Sequence, residues 1–123
     1  MPYSIAEKPE YLLITVAGAI TGVELHRLID EGEAFLKVRP RWTNNLVDLR
    51  GLDLSGLGFA DILGFAGRRV SLKPPHAFKT AIVVDSPSVA GYVRMLQNRN
   101  RNPAIAIETF DDVAAATEWL AAA

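Results

Sequence analysis

The 123-residue chain carries 13 basic and 14 acidic side chains, and half of its residues are hydrophobic, the balance of an ordinary soluble globular domain. Cysteine is absent, which excludes disulfides, thiolate metal sites and cysteine nucleophiles and agrees with a reducing cytosol. The start, Met1-Pro2-Tyr3-Ser4-Ile5, shows no basic region followed by an apolar core, and the longest apolar run, Tyr11–Ile20, is too short to cross a bilayer, so a cytoplasmic protein with no transmembrane segment is expected.

Length predicts one domain, residues 1–123, able to bury about two thirds of its unfolded surface. Tyr3–Lys8 and Tyr11–Ala17 read as a hairpin with Pro9 at its turn. In the second strand Leu12, Ile14 and Val16 alternate with Tyr11, Leu13 and Thr15, so both faces are expected to be covered. Thr21-Gly22-Val23-Glu24 is a capping box, in which hydroxyl and carboxylate each satisfy an orphan amide. Leu25, Leu28, Ile29, Gly32 and Leu36 follow at helical spacing until Pro40. Leu46–Leu49 is a short apolar strand, expected to be parallel because helices flank it.

The next helix carries Phe59, Ile62, Leu63, Ala66 and Val70, with Arg68, Arg69 and Lys73 at its end, where cations suit the helix dipole. Phe78–Val84 is a buried strand. Ser86-Pro87 places proline at the first position of a helix that turns Val89, Val93 and Leu96 inward. Ala104–Glu108 is the last strand, and Asp111-Asp112 caps a final helix with Val113, Ala116 and Leu120 facing the core. The order β-β-α-β-α-β-α-β-α predicts an α/β fold: a mixed, mostly parallel five-stranded sheet with four helices.

Charge is uneven. From Lys37 to Arg101 there are 11 basic and 4 acidic residues, while the flanks are acidic. This describes either solvated faces that differ by chance or a basic and an acidic side. Nucleic-acid binding would require a larger basic excess and aromatic stacking groups beside Arg94, Arg99 and Arg101, where Tyr92 alone stands; none is expected.

The stretch with chemical interest is Asn45–Arg69, where a strand, a glycine-rich loop, Gly51–Gly58, and a helix start meet. Ser55 reads as a helix N-cap. Asp48 and Asp53 lie at the carboxyl end of a parallel strand, where ligands of open α/β sheets bind, but Arg50 is their natural partner and neither histidine is near in sequence. His26 and His76 are solitary, whereas a metal site needs converging ligands. No nucleophile elbow or phosphate loop is present. No enzyme, cofactor or metal is therefore expected. Leu52, Leu54 and Leu57 crowd a loop that should be polar, either as a plug beneath it or as an apolar patch for a partner or lipid.

Asp53-Leu54-Ser55-Gly56-Leu57-Gly58 resembles the Asp-Ser-Ser-Gly-Leu-Gly type loop of STAS domains, the anti-sigma-factor antagonists with the SpoIIAA-like fold. Ile62-Leu63-Gly64 is also similar, and Phe110-Asp111-Asp112 with Ala116, Trp119 and Leu120 resembles small bacterial proteins described as STAS/SEC14-like. Leu54 stands where the family has the first serine, and the strand-to-loop spacing is shorter here. The resemblance implies a non-enzymatic regulatory module. In it Ser55 would accept a phosphoryl group, and Asp53, Leu54, Ser55, Gly56, Leu57 and Gly58 would form a loop for a partner or an anion. The partner would be a protein such as a kinase or an anti-sigma-like factor. A homodimer is also expected, because small α/β domains often pair about a two-fold axis. The SEC14 side of the resemblance implies an alternative, a carrier of a lipid or another apolar small molecule, with Leu57, Phe59, Leu63 and Phe78 lining its pocket.

Overall fold

A computed structural model describes residues 3–37, 44–58, 60–61, 64, 77–99 and 103–122. Alternation of apolar side chains forms β1 (Tyr3–Glu7) and β2 (Tyr11–Val16), an antiparallel hairpin closed by the Lys8 amide donating to the Tyr11 carbonyl at 2.9 Å. Three further strands, β4 (Asn44–Asp48), β6 (Phe78–Val83) and β7 (Ile105–Phe110), extend the sheet in the order β1-β2-β4-β6-β7, and every pairing beyond the hairpin is parallel. Parallel neighbours need a crossover between them. Helix α1 (Gly22–Lys37) lies between β2 and β4 in the chain, and α2 (Pro87–Arg99) lies between β6 and β7. A last helix, α3 (Val113–Ala121), follows β7. The expected helix from Phe59 to Val70 falls mostly outside the described residues; Ala60, Asp61 and Gly64 are helical.

The strand register separates two cores. Leu46, Ala81 and Val83 face α3 and pack on Ala116 and Leu120. The alternate residues face the other helices. Ile82 and Val84 meet Val89 and Val93 of α2, while Tyr3, Val16 and Ile20 meet Leu28 of α1. Strand β6 is almost wholly buried, which is why it reads as an apolar run without alternation.

The caps follow the sequence closely. Thr21 Oγ1 accepts from the Glu24 amide at 3.2 Å and Glu24 Oε1 from the Thr21 amide at 3.0 Å, completing the capping box. Asp112 Oδ1 accepts from the Ala115 amide at 2.7 Å, making it the N-cap of α3. The other end of α3 is tied down in a way the sequence does not announce. Lys79 Nζ donates to the carbonyls of Trp119, at 2.8 Å, and Ala122, while Asn44 Nδ2 donates to that of Leu120 at 3.2 Å. A cation at the carboxyl end of a helix opposes its dipole.

Candidate functional site

The site begins where β4 ends. Asp48 and Arg50 form a bidentate ion pair, with contacts of 2.8 and 2.9 Å, and the Arg50 amide also donates to Asp48 Oδ1 at 3.1 Å. The Arg50 guanidinium, ahead of its amide, holds the Asp48 carboxyl below the usual carboxylate range, although partial burial opposes this. The pair turns the chain sharply. Gly51 then takes φ +81°, a left-handed conformation that favours glycine, and its amide donates to Asp85 Oδ1 at 3.3 Å.

From there the expected loop becomes ordered structure. Leu52–Asp53 forms a two-residue strand, β5, parallel to β3 (Gly18–Ala19), and the Gly18 amide donates to the Gly51 carbonyl at 3.0 Å. Leu54–Gly56 is one 3-10 turn. Its cap is Asp53, whose Oδ1 accepts from the Ser55 amide at 2.9 Å. The Ser55 amide and then its hydroxyl hold the Asp53 carboxyl below its ordinary range. The expectation that Ser55 is itself the N-cap is thus corrected: the Asp53 carboxylate, two residues earlier, accepts from the Ser55 amide and caps the turn. The helix start beyond belongs to Gly58 and Asp61, since Asp61 Oδ2 accepts from the Gly58 amide at 2.9 Å and the Gly58 carbonyl from the Asp61 amide at 3.1 Å.

Three amides of the loop are engaged within the chain: Ser55 with Asp53, Leu57 with the Leu54 carbonyl, and Gly58 with Asp61. The Ser55 side chain, in contrast, is exposed. Gly56 is needed for close approach, because a Cβ there would lie 2.6 Å from the Ile20 carbonyl oxygen. A Cβ at Gly22 would run into the Asp61 carboxylate, so loop and α1 meet at two glycines.

The three leucines behave as a plug rather than as an exposed patch. Leu52 packs beneath the loop against both clusters on the α1 and α2 face, Leu54 against the Ile82–Val93 cluster, and Leu57 against the Tyr3–Leu28 cluster. Of the residues expected to line a pocket, Leu57 lies at this end of the sheet. Phe78 is buried at the opposite end, beside an open cleft of about 270 Å³ lined by Asn44, Ala77, Lys79, Pro103, Ala104 and Ala106. Phe59 and Leu63 fall outside the described residues. Asp48 and Asp53 are engaged separately: one carboxylate pairs with Arg50 and the other caps the 3-10 turn. Among the described residues no group of three histidine, cysteine, aspartate or glutamate side chains could hold a metal. His26 is exposed, and His76 lies outside the described residues.

Comparison with known proteins bears on the fold. The chain aligns over 96% of its length, and over 91% of the other chain, with the crystal structure of an uncharacterized DUF3478-family protein of SpoIIAA-like fold from Shewanella loihica PV-4, at a TM-score of 0.63 and 19% identity. The fold is SpoIIAA-like. No family model matches the sequence, and no curated protein matches it either. The likeness at 19% identity concerns architecture: the SpoIIAA-like sheet with its antiparallel first strand and parallel remainder. In this SpoIIAA-like chain Ser55 tops the turn beyond the central strand β4.

One participant in the sheet gave no sequence signal. Gln97 of α2 reaches β7: its Nε2 donates to the Ile107 carbonyl at 3.0 Å and its Oε1 accepts from the Thr109 hydroxyl at 2.8 Å. It thereby occupies part of the β7 edge, which blunts that edge against further strand pairing.

Proposed function

We propose that this SpoIIAA-like domain is a non-enzymatic regulatory module that docks a protein partner on the Asp53–Gly58 surface, and that phosphorylation of Ser55 controls the docking. One observation carries the reading: Ser55 is exposed on an ordered turn held from beneath by half-buried leucines and beside by Ile20. A kinase reaches a hydroxyl presented in this way, and a partner meets a surface of defined shape.

The local charges give the modification a physical consequence. A phosphoserine carries close to two negative charges and repels neighbouring carboxylates. The Ser55 amide already belongs to Asp53 and the Gly58 amide to Asp61, so the added dianion competes with two carboxylates for the same donors. Phosphorylation therefore acts by loosening the Asp53 cap and reshaping the docking surface, not by settling into a waiting cradle.

Docking is tested by affinity capture from a lysate with the immobilised protein. Wild type is expected to retain a protein that Ser55→Arg loses, while Glu10→Arg, on the exposed turn at the other end of the sheet, retains it. Equal retention by all three would contradict a docking role for this loop. The apolar cleft beside Phe78 supports a second reading, carriage of a small apolar molecule. At about 270 Å³ it is at the lower end of ligand pockets, which run to roughly 1,000 Å³. Native mass spectrometry of protein taken from cells tests it: a reproducible adduct supports the carrier, and a consistently bare protein removes it.

A further inference from the structure

Asn45 stands near the start of the central strand with 3% of its surface exposed, and its Oδ1 has no hydrogen-bond partner. Among the described residues it is the buried side-chain polar atom left in this condition. The register places Asn45 between Leu12 of β2 and Thr80 of β6, with 1% and 3% exposure. All three side chains face the α1 and α2 side of the sheet. The amide oxygen is thus lodged between a hydrocarbon wall and the strand that carries a second buried polar residue.

A buried acceptor without a donor costs about 1–3 kcal/mol, and a leucine or valine at this position would avoid that cost. Strand β4 uses such residues at Leu46 and Val47. Buried polar side chains in folded proteins find partners, from the chain, from water or from a ligand. We infer that Asn45, beside Thr80, forms an internal site for a small neutral hydrogen-bond donor, an O–H or N–H group presented to Oδ1. The donor is neutral because the cross-strand neighbours of Asn45 are uncharged and an ion would lie unpaired in the interior. It belongs either to a small bound molecule or to an internal water. The site is independent of Ser55, which lies beyond the carboxyl end of the same strand.

Three measurements test this. Native mass spectrometry of the wild-type protein reads a bound molecule as an adduct lost on denaturation. Magnetisation transfer from water to the amides of Asn45 and its strand neighbours reads a long-lived internal water. Thermal unfolding of Asn45→Leu reads what the acceptor is worth. The expected result is one of the two occupancy signals in wild type, with Tm lowered by about 4 °C or more in the variant because it removes a satisfied bond. An adduct identifies a small molecule, and a water signal without an adduct identifies water. The absence of both signals in wild type overturns the proposal, whether or not the variant folds. So does a variant with Tm equal to or above wild type, since that is the behaviour of an acceptor nothing satisfies.

Discussion

The Ile20 carbonyl oxygen would lie 2.6 Å from a Cβ at Gly56, and backbone on both sides leaves neither group free to give way. Gly56→Ala is therefore expected to destabilise the protein by about 1–3 kcal/mol, read as a lower urea midpoint with an unchanged slope. A neutral effect would mean that the loop does not rest against Ile20. Asp48 makes a second test by titration. Its folded-state pKa is held down by Arg50, so its contribution is present above the ordinary carboxylate range and is lost as pH falls through the lowered value. Wild-type stability is expected to decline on acidification from about pH 5 towards pH 2, and Asp48→Asn to show a shallower acid limb. Parallel limbs would contradict the assigned ion pair. The type of interaction here was legible in the sequence, since Asp48 and Arg50 are two residues apart. The direction of Ser55 was not: Asp53, Ser55 and Asp61 compete to cap overlapping turns, and the outcome depends on where Ile20 and α1 press on the loop.

Between elements, the largest departure from expectation is the β3–β5 pair, two residues from each strand. A two-residue strand holds a single period of alternation, too little to show a pattern, and two glycines, Gly18 opening β3 and Gly51 just before β5, give no strand signal of their own. Both adopt positive φ, at +75° and +81°, and both serve the same clasp through the Gly18 amide and the Gly51 carbonyl. Gly51→Ala is expected to cost about 1–2 kcal/mol through left-handed strain. Gly32→Ala, inside α1 with open space around its Cβ position, is expected to gain about 0.5–1 kcal/mol. Thermal unfolding of the pair checks both signs, and a Gly51→Ala protein as stable as wild type would show that the clasp is dispensable. By contrast the capping box of α1 and the Asp112 cap of α3 were legible, because each is closed within four residues of chain. The Lys79 and Gln97 contacts were not, because their partners lie 40 and 10 residues away and depend on the finished sheet.

At the scale of the molecule, order of elements and strand direction followed from hydrophobic period and the spacing of helices between strands, and the SpoIIAA-like architecture follows from them. The division of the sheet into one face under α3 and one under α1 and α2 was not readable, since a strand covered on both sides shows no alternation to say which helix covers which face. The uneven charge of residues 37–101 rests largely on side chains outside those described. The proposed function depends on a smaller feature of the whole: beyond the central strand the exposed Ser55 sits on a turn where the Ser55 and Gly58 amides are already held by carboxylates. The direct test is intact mass after the protein is incubated with ATP and a lysate of its own cells. The account predicts one added phosphate on wild type and none on Ser55→Ala; no phosphate on either, or one on both, would contradict it.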